Sequence, residues 1–249
     1  MKNKTMVSIV LPTYNEVENF KKIVREILTV FRDNNIDGNI IIVDDNSPDQ
    51  TGIMAQRLSE DMPKQLYVIN REAKMGLGSA YISGFKKALF LGADYIFEMD
   101  ADFSHNPHSI PSFLKAMKDS DLVIGSRYIN GGSTKNWELH RKLISRFGTL
   151  YAKTILKLEI DDLTSGFRCY KRQVLEKIDF DQIQSDGYSF QIEMAYKTKL
   201  AGFKIKEIPI VFADRKNGIS KFSKKIFYEA FWIVWKLRLN SKQQTLTKK

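Results

Sequence analysis

Tyr95-Ile96-Phe97-Glu98-Met99-Asp100-Ala101-Asp102 joins a short apolar run to two acidic residues one position apart. A run of this length reads as a buried strand, so Asp100 and Asp102 emerge at its C-terminal edge. In open parallel α/β sheets, ligands bind in the crevice outside the carboxyl ends of the strands. Two carboxylates crowded there repel each other unless a cation lies between them. Mg²⁺ and Mn²⁺ take one or two carboxylates and complete their shell with water and ligand phosphates. The pair therefore reads as the seat of a metal–diphosphate. Asp-x-Asp also arises by chance in solvated turns, so the rest of the chain decides.

Outward from this stretch, apolar runs alternate with helical patterns. Val7–Leu11 is a first strand, followed by Val17, Phe20, Ile23, Val24, Ile27, Leu28 and Phe31 at helical spacing. Asn15 is expected to cap that helix, with Glu18 three residues on as its reciprocal partner. Strands are read at Ile40–Val43, Leu66–Ile69 and Leu122–Gly125, and helices at Thr51–Glu60, Ser79–Leu91 and Pro107–Met117. Strands separated by helices of this length imply a parallel sheet covered on both faces. Further on, Arg141–Leu158 and Ser189–Leu200 read as helices, and Leu163–Tyr170 and Lys204–Val211 as strands. No linker or repeat interrupts the chain. One α/β domain over residues 1–220 is expected, with an amphipathic helix over 221–240 and a disordered basic tail over 241–249.

Three strands end in distinctive polar chemistry: Pro12-Thr13-Tyr14-Asn15-Glu16, Asp44-Asp45-Asn46-Ser47-Pro48-Asp49 and Asp100-Ala101-Asp102-Phe103-Ser104-His105. Each alone could be a capping turn. All three converge on one sheet edge, which favours a site. A dinucleotide-binding oxidoreductase requires Gly-x-Gly-x-x-Gly after the first strand, and Pro12–Glu16 contains no glycine. Gly76-Leu77-Gly78 opens a later helix, whose amides could face an anion, with Lys74 beside it. His105, His108 and His140 have no metal-ligand spacing and receive no catalytic role.

The 249 residues are 43% apolar and 27% charged, in the range of a soluble globular protein. The run before Pro12 is too short for a signal-peptide core, and no stretch is long and apolar enough to span a bilayer. One cysteine, Cys169, cannot form an internal disulfide, which fits a reducing compartment. It reads as a small core residue. The net charge is +10, and residues 221–249 hold eight Lys/Arg against one acidic residue, so the body is nearly neutral. That argues against a nucleic-acid-binding face. Within the tail, Ile226–Trp235 is apolar and aromatic, flanked by Lys224, Lys225, Lys236 and Arg238. This composition suits a membrane interface rather than a span.

As a set, Leu11–Glu16, Val43–Asp49, Gly76–Gly78 and Asp100–Asp102 resemble a family 2 glycosyltransferase of GT-A fold (Rossmann-like, α/β, mostly parallel). Asp102–Pro107, Gly125–Tyr128, Leu163–Arg168 and Arg215–Lys221 are similar to the dolichol-phosphate (polyprenol-phosphate) mannose synthases. The likeness runs in order from about Ser8 to Lys221. It implies that Pro12, Tyr14 and Glu16 contact a guanine nucleotide, with Val43 and Asp45 beside base and ribose. Asp100, Ala101 and Asp102 would hold metal and diphosphate, with Ser104 as a further ligand. Arg127, Arg215 and Lys221 would bind phosphates or sugar near the reaction centre, and Arg141 and Ser145, with Arg127, the lipid phosphate. Gln50 and Asn46 stand where the family usually has glycine.

The resemblance implies transfer of mannose from GDP-mannose to a dolichyl or polyprenyl monophosphate, with inversion and with Mg²⁺ or Mn²⁺. Asp102 and Arg127 carry the chemistry in this reading. The acceptor phosphate, with a second pKa near ~6, needs no catalytic base. It needs cations that bring one anion up to another. The setting is the cytoplasmic face of a membrane, peripherally bound, with room for a membrane-anchoring partner. Another sugar nucleotide, such as UDP-glucose, is the nearest alternative. A non-catalytic membrane- or nucleic-acid-binding module using the basic tail is the distant one.

Overall fold

A computed structural model describes residues 5–183, 185–213 and 231–239. Its centre is a seven-stranded sheet formed by β1 (Met6–Thr13), β2 (Asp37–Asp44), β3 (Leu66–Asn70), β4 (Tyr95–Glu98), β5 (Leu122–Ser126), β7 (Arg168–Lys171) and β8 (Ile205–Pro209), in the order β3-β2-β1-β4-β7-β5-β8. All neighbours are parallel except β7, which runs antiparallel to both β4 and β5. The chain winds outward from β1 to β3 and then returns to place β4 on the other side of β1. The order therefore reverses between β1 and β4, where a crevice must open at the strands' carboxyl ends.

Period-two alternation sorts the strand residues between two cores. Ile40 and Ile42 face one, with Ile9, Leu11, Phe97, Val123 and Phe113. Ile41 and Val43 face the other, with Val10, Ile96, Tyr81, Phe85 and Phe190. Helices α1 (Phe20–Asp33) and α4 (Ile110–Ala116) cover the first face. Helices α3 (Leu77–Phe90), α5 (Leu139–Leu156) and α7 (Gly187–Leu200) cover the second. Helix α2 (Thr51–Asp61) packs beside β3, and a short α6 (Arg172–Lys177) follows β7. Cys169 is buried in β7. Residues 231–239 are helical, and their Ile233, Val234 and Leu237 join the second core. No helix among the described residues is long and apolar enough to cross a membrane.

Three local expectations are corrected. Helix α1 starts at Phe20, because Asn15 sits at φ 61° with its amide donating to Ser47 Oγ. The Asn19 and Phe20 amides donate instead to the Glu16 carbonyl. The strand expected over Leu163–Tyr170 is confined to Arg168–Lys171. The buried Arg168 guanidinium donates hydrogen bonds to the carbonyls of Leu163, Ser165 and Gln191, which withdraws the 163–165 backbone from the ladder. Lys204–Val211 divides into β8, which ends at Pro209, and β9 (Val211–Ala213). β9 leaves the main sheet to pair with β6 (Ser133–Lys135), a ribbon with no apolar alternation to announce it.

In the β2–α2 loop, the two residues that stand where the family usually has glycine have a physical consequence. Asn46 and Gln50 both adopt left-handed backbones, at φ 56° and 69°. Asparagine tolerates that region, whereas glutamine is strained by about 1–2 kcal/mol. Gln50→Gly relieves the strain but loosens the unfolded chain. The expected net gain is about 0.5–1 kcal/mol in urea unfolding, and a loss of stability would refute this account.

Candidate active site

A cavity of about 410 Å³ opens at the carboxyl ends of β1, β2 and β4. Pro12, Thr13, Tyr14 and Glu16 reach it from β1, Asp45 from β2, and Asp100, Ala101, Asp102, Ser104 and His105 from β4. Arg127 enters from the end of β5, and Trp137 and Arg141 from the start of α5. Asp186, Gly187 and Tyr188 close one wall, and Phe212 of β9 another. The three strand-end segments singled out in the sequence thus meet in one space. Val43 does not line the cavity, since its side chain is buried in the core. Ser145 lies behind the wall, bonded to Tyr128 and Thr164. Arg215 and Lys221, and all but 231–239 of the predicted C-terminal helix, lie outside the described residues.

The carboxylates after β2 divide the work. Asp44 accepts from the Thr13 hydroxyl (2.9 Å) and from the Ser47 amide (2.9 Å) and hydroxyl (2.6 Å), stapling the first loop to the second. Asp49 accepts from the Val17 amide (3.0 Å) and from the amide and hydroxyl of Thr51, the first residue of α2. Only Asp45 faces the cavity. It is paired with Arg71 and also accepts from the Met75 amide at 3.2 Å. Lys74 lies 4.0 Å above the Tyr14 ring, on the cavity wall. Arg71 gave no signal in the sequence because its partner is 26 residues away.

At the end of β4, the Tyr81 hydroxyl donates to Asp100 Oδ1 (3.1 Å), and the Ser104 amide donates to Asp102 Oδ1 (3.0 Å). Burial, and then the Asp100 charge, push the Tyr81 hydroxyl well above its ordinary pKa, so it stays a donor. Phe103 takes φ 63°, which folds the turn back sharply. Ser104 is buried, and its Oγ has no hydrogen-bond partner among the described residues. No cluster of three His, Cys, Asp or Glu able to hold a metal occurs among those residues. Two carboxylates and an unsatisfied hydroxyl form a hard oxygen donor set. It fits a cation that keeps water and phosphate in its shell.

Arg127 is held more tightly than its sequence reading implied. Its Nε and Nη2 donate to the two Asp162 oxygens (2.7 and 2.6 Å), and its amide donates to Oδ2 (2.9 Å). Nη2 also reaches Thr164 Oγ1 (2.7 Å). Trp137, Tyr128 and Phe212 surround the guanidinium, with ring centroids 4.9–5.3 Å away. Its charge is largely met by Asp162, so Arg127 is as much a structural post as a phosphate ligand. Arg141, stacked near Trp137, reaches the cavity from the exposed side of the same helix start. At the Gly-x-Gly turn the anion is the protein's own: the Gly78 amide donates to Asp186 Oδ1 at 2.6 Å.

Residues 8–179 match the family model for glycosyl transferase family 2. The undecaprenyl-phosphate mannosyltransferase of Micrococcus luteus is 42% identical over 90% of this chain and 90% of its own. The polyprenol monophosphomannose synthase of Mycolicibacterium smegmatis is 40% identical over 92% of this chain and 86% of its own. Among solved structures, glucosyl-3-phosphoglycerate synthase from Mycobacterium tuberculosis, in complex with Mn²⁺, UDP and phosphoglyceric acid, shares the fold. Its TM-score is 0.70 and its identity 18%, over 95% of this chain and 79% of that one. The chain belongs to glycosyl transferase family 2 and is a glycosyltransferase of GT-A fold.

One titratable group beneath the site escaped the sequence reading. Glu98 is fully buried in β4, two residues before Asp100, in a polar pocket with Arg168, Tyr170 and Gln191. Burial outweighs the Arg168 charge and pushes its carboxyl up to about 7. The folded state therefore holds this proton at pH values where the unfolded chain has lost it. The resulting penalty is absent below about pH 4.5, grows as pH rises, and is complete above about pH 7. Glu98→Gln carries no such penalty. In metal-free buffer the variant should gain stability relative to the parent between pH 4.5 and pH 8, by up to about 3 kcal/mol. Parallel stability–pH profiles would contradict the shift.

Proposed function

We propose that the protein transfers mannose from GDP-mannose to a polyprenyl monophosphate, with inversion at the anomeric carbon and with Mg²⁺ or Mn²⁺. One observation carries the reading: the Asp100–Asp102 turn, with the orphaned Ser104 hydroxyl, faces the Arg141 end of α5 across a single cavity. The names of the two mannosyl-transferring relatives support the sugar and the acceptor class.

Asp100, Asp102 and Ser104 would hold the ion. Once bound, it supplies positive charge to a departing nucleoside diphosphate. Tyr14, Glu16 and Asp45, with Lys74 across the Tyr14 ring, are the groups available to the nucleoside. The lipid phosphate is mostly ionised at neutral pH and attacks without a base. Arg141 draws it in, and Arg127 offers Nη1, since Nε and Nη2 are committed to Asp162 and Thr164. We assign the same task to Arg215 and Lys221 from the family pattern. A single displacement converts an α-linked donor into a β-linked product.

The membrane face follows from α5. Leu139, Leu143, Phe147 and Leu150 recur at helical spacing and are exposed, Leu139 by 72% and Phe147 by 65%. The opposite side of the helix buries Thr149, Ala152 and Leu156. Phe231 stacks on Tyr151 at 5.1 Å, adding Trp232, Trp235 and Leu239 to the exposed apolar surface. A face of this size and aromatic content suits the lipid headgroup boundary. It would bring the acceptor phosphate in beside Arg141.

Two measurements test the proposal. With purified protein, Mn²⁺, GDP-mannose and undecaprenyl phosphate, Asp102→Ala should lower turnover by about 10²-fold or more. UDP-glucose should give no product with the parent enzyme. Retained metal-dependent transfer by the variant, or preference for UDP-glucose, would overturn the assignment. Separately, L143E/F147E should lose co-sedimentation with anionic liposomes while keeping turnover of a short water-soluble prenyl phosphate within about twofold. Unchanged liposome binding would remove α5 from the membrane face.

A further inference from the structure

We propose that His105 is the positioning residue of the Asp100–Asp102 turn: its Nδ1 accepts the Asp100 amide and so sets the direction in which both carboxylates leave β4. The inference rests on the metal-binding reading of that turn. His105 is almost completely buried, and the Asp100 amide donates to its Nδ1 at 3.0 Å. That amide is the first in the segment with no ladder acceptor. The Met99 amide still donates to the Val10 carbonyl at 3.2 Å, and the β4–β7 pairing ends at Glu98. Without the imidazole, a donor at the rim of the core would lose its partner, which proteins seldom tolerate.

An accepting Nδ1 also fixes the tautomer, with the proton on Nε2. Nε2 lies 3.9 Å from Asp100 Oδ2, so one ring faces both the backbone and the carboxylate of the same aspartate. The ring cannot swing. It stacks on Phe167 at 5.0 Å and 17°, and Phe212 meets its edge at 5.8 Å. Phe103, between the two ends of this contact, is held at φ 63°, so the bond from residue 105 to residue 100 closes a loop that is strained within. Loss of outer partners of this kind typically costs about 10–100-fold in metal affinity or activity.

The test compares two replacements. H105F keeps a flat aromatic ring, somewhat larger than imidazole, that can stack on Phe167 but has no acceptor; H105N returns an acceptor oxygen near the place of Nδ1. Mn²⁺ binding is read by electron paramagnetic resonance with GDP present and neither sugar donor nor lipid. H105F should bind Mn²⁺ about 10-fold more weakly, with KM for the lipid phosphate changed by less than about twofold, and H105N should recover at least half of the lost affinity on a logarithmic scale. Wild-type Mn²⁺ affinity in H105F, or equal losses in both variants, would overturn the proposal. A parent protein that binds no Mn²⁺ would overturn the metal reading itself. The histidine ¹⁵N spectrum of the unmutated protein gives an independent check: an unprotonated Nδ1 at His105 supports the proposal, and a protonated one defeats it.

Discussion

Repulsion between carboxylates gathered at one sheet edge is the constraint on which this site depends. The reversal of strand order between β1 and β4 brings the ends of both strands to one crevice, and the sequence loads that crevice with acids. Several have partners that can be named. Asp44 is held by Thr13 and Ser47, Asp45 by Arg71, Asp162 by Arg127, and Asp186 by the Gly78 amide. Glu98 relieves the crowding differently, by keeping its proton up to about pH 7. Among the donors at Asp100 and Asp102 are the Tyr81 hydroxyl and the Ser104 amide, and a neutral donor orients a carboxylate without cancelling its charge.

The legible part of the fold was the part governed by local periodicity. The apolar run Ile40–Val43 and the helical spacing from Val17 to Phe31 follow from burial on a strand and on a helix; the strand appears within Asp37–Asp44 and the helix from Phe20. The departures arise where a distant group claims backbone atoms. Nothing near Leu163 signals that Arg168 will take its carbonyl, so the strand seemed longer than it is. Nothing near Asn15 signals that Ser47 will take its amide, so the helix seemed to begin sooner.

The same division holds at the site. Residues at strand ends could be placed from the chain alone, because a parallel sheet delivers every strand's carboxyl end to one side. What surrounds them could not. The Arg127–Asp162 and Arg71–Asp45 pairs span 35 and 26 residues. Arg127, read as a phosphate ligand, also holds an internal carboxylate. A glycine-rich turn read as an anion site has an aspartate in it. His105, given no catalytic role for want of a metal spacing, lies under the Asp100–Asp102 turn with its Nδ1 on the Asp100 amide.

Helix α5 links the two halves of the reaction. Its first turns carry Arg141 into the cavity, its inner side packs Thr149, Ala152 and Leu156 into the core, and its outer side is an apolar stripe. Ser145, midway along it, bonds Thr164 and Tyr128 and lies within reach of Arg127 Nη2. Arg127 in turn fixes Asp162, whose amide is held by Glu207 at the outer strand β8. Hydrogen bonds through Ser145, Thr164, Arg127 and Asp162 thus link α5 to the cavity wall. Rigid coupling of this kind has a physical benefit for an enzyme joining a water-soluble donor to a lipid-borne phosphate. In the proposed membrane-bound state, α5 would also set the height at which the phosphate meets the donor.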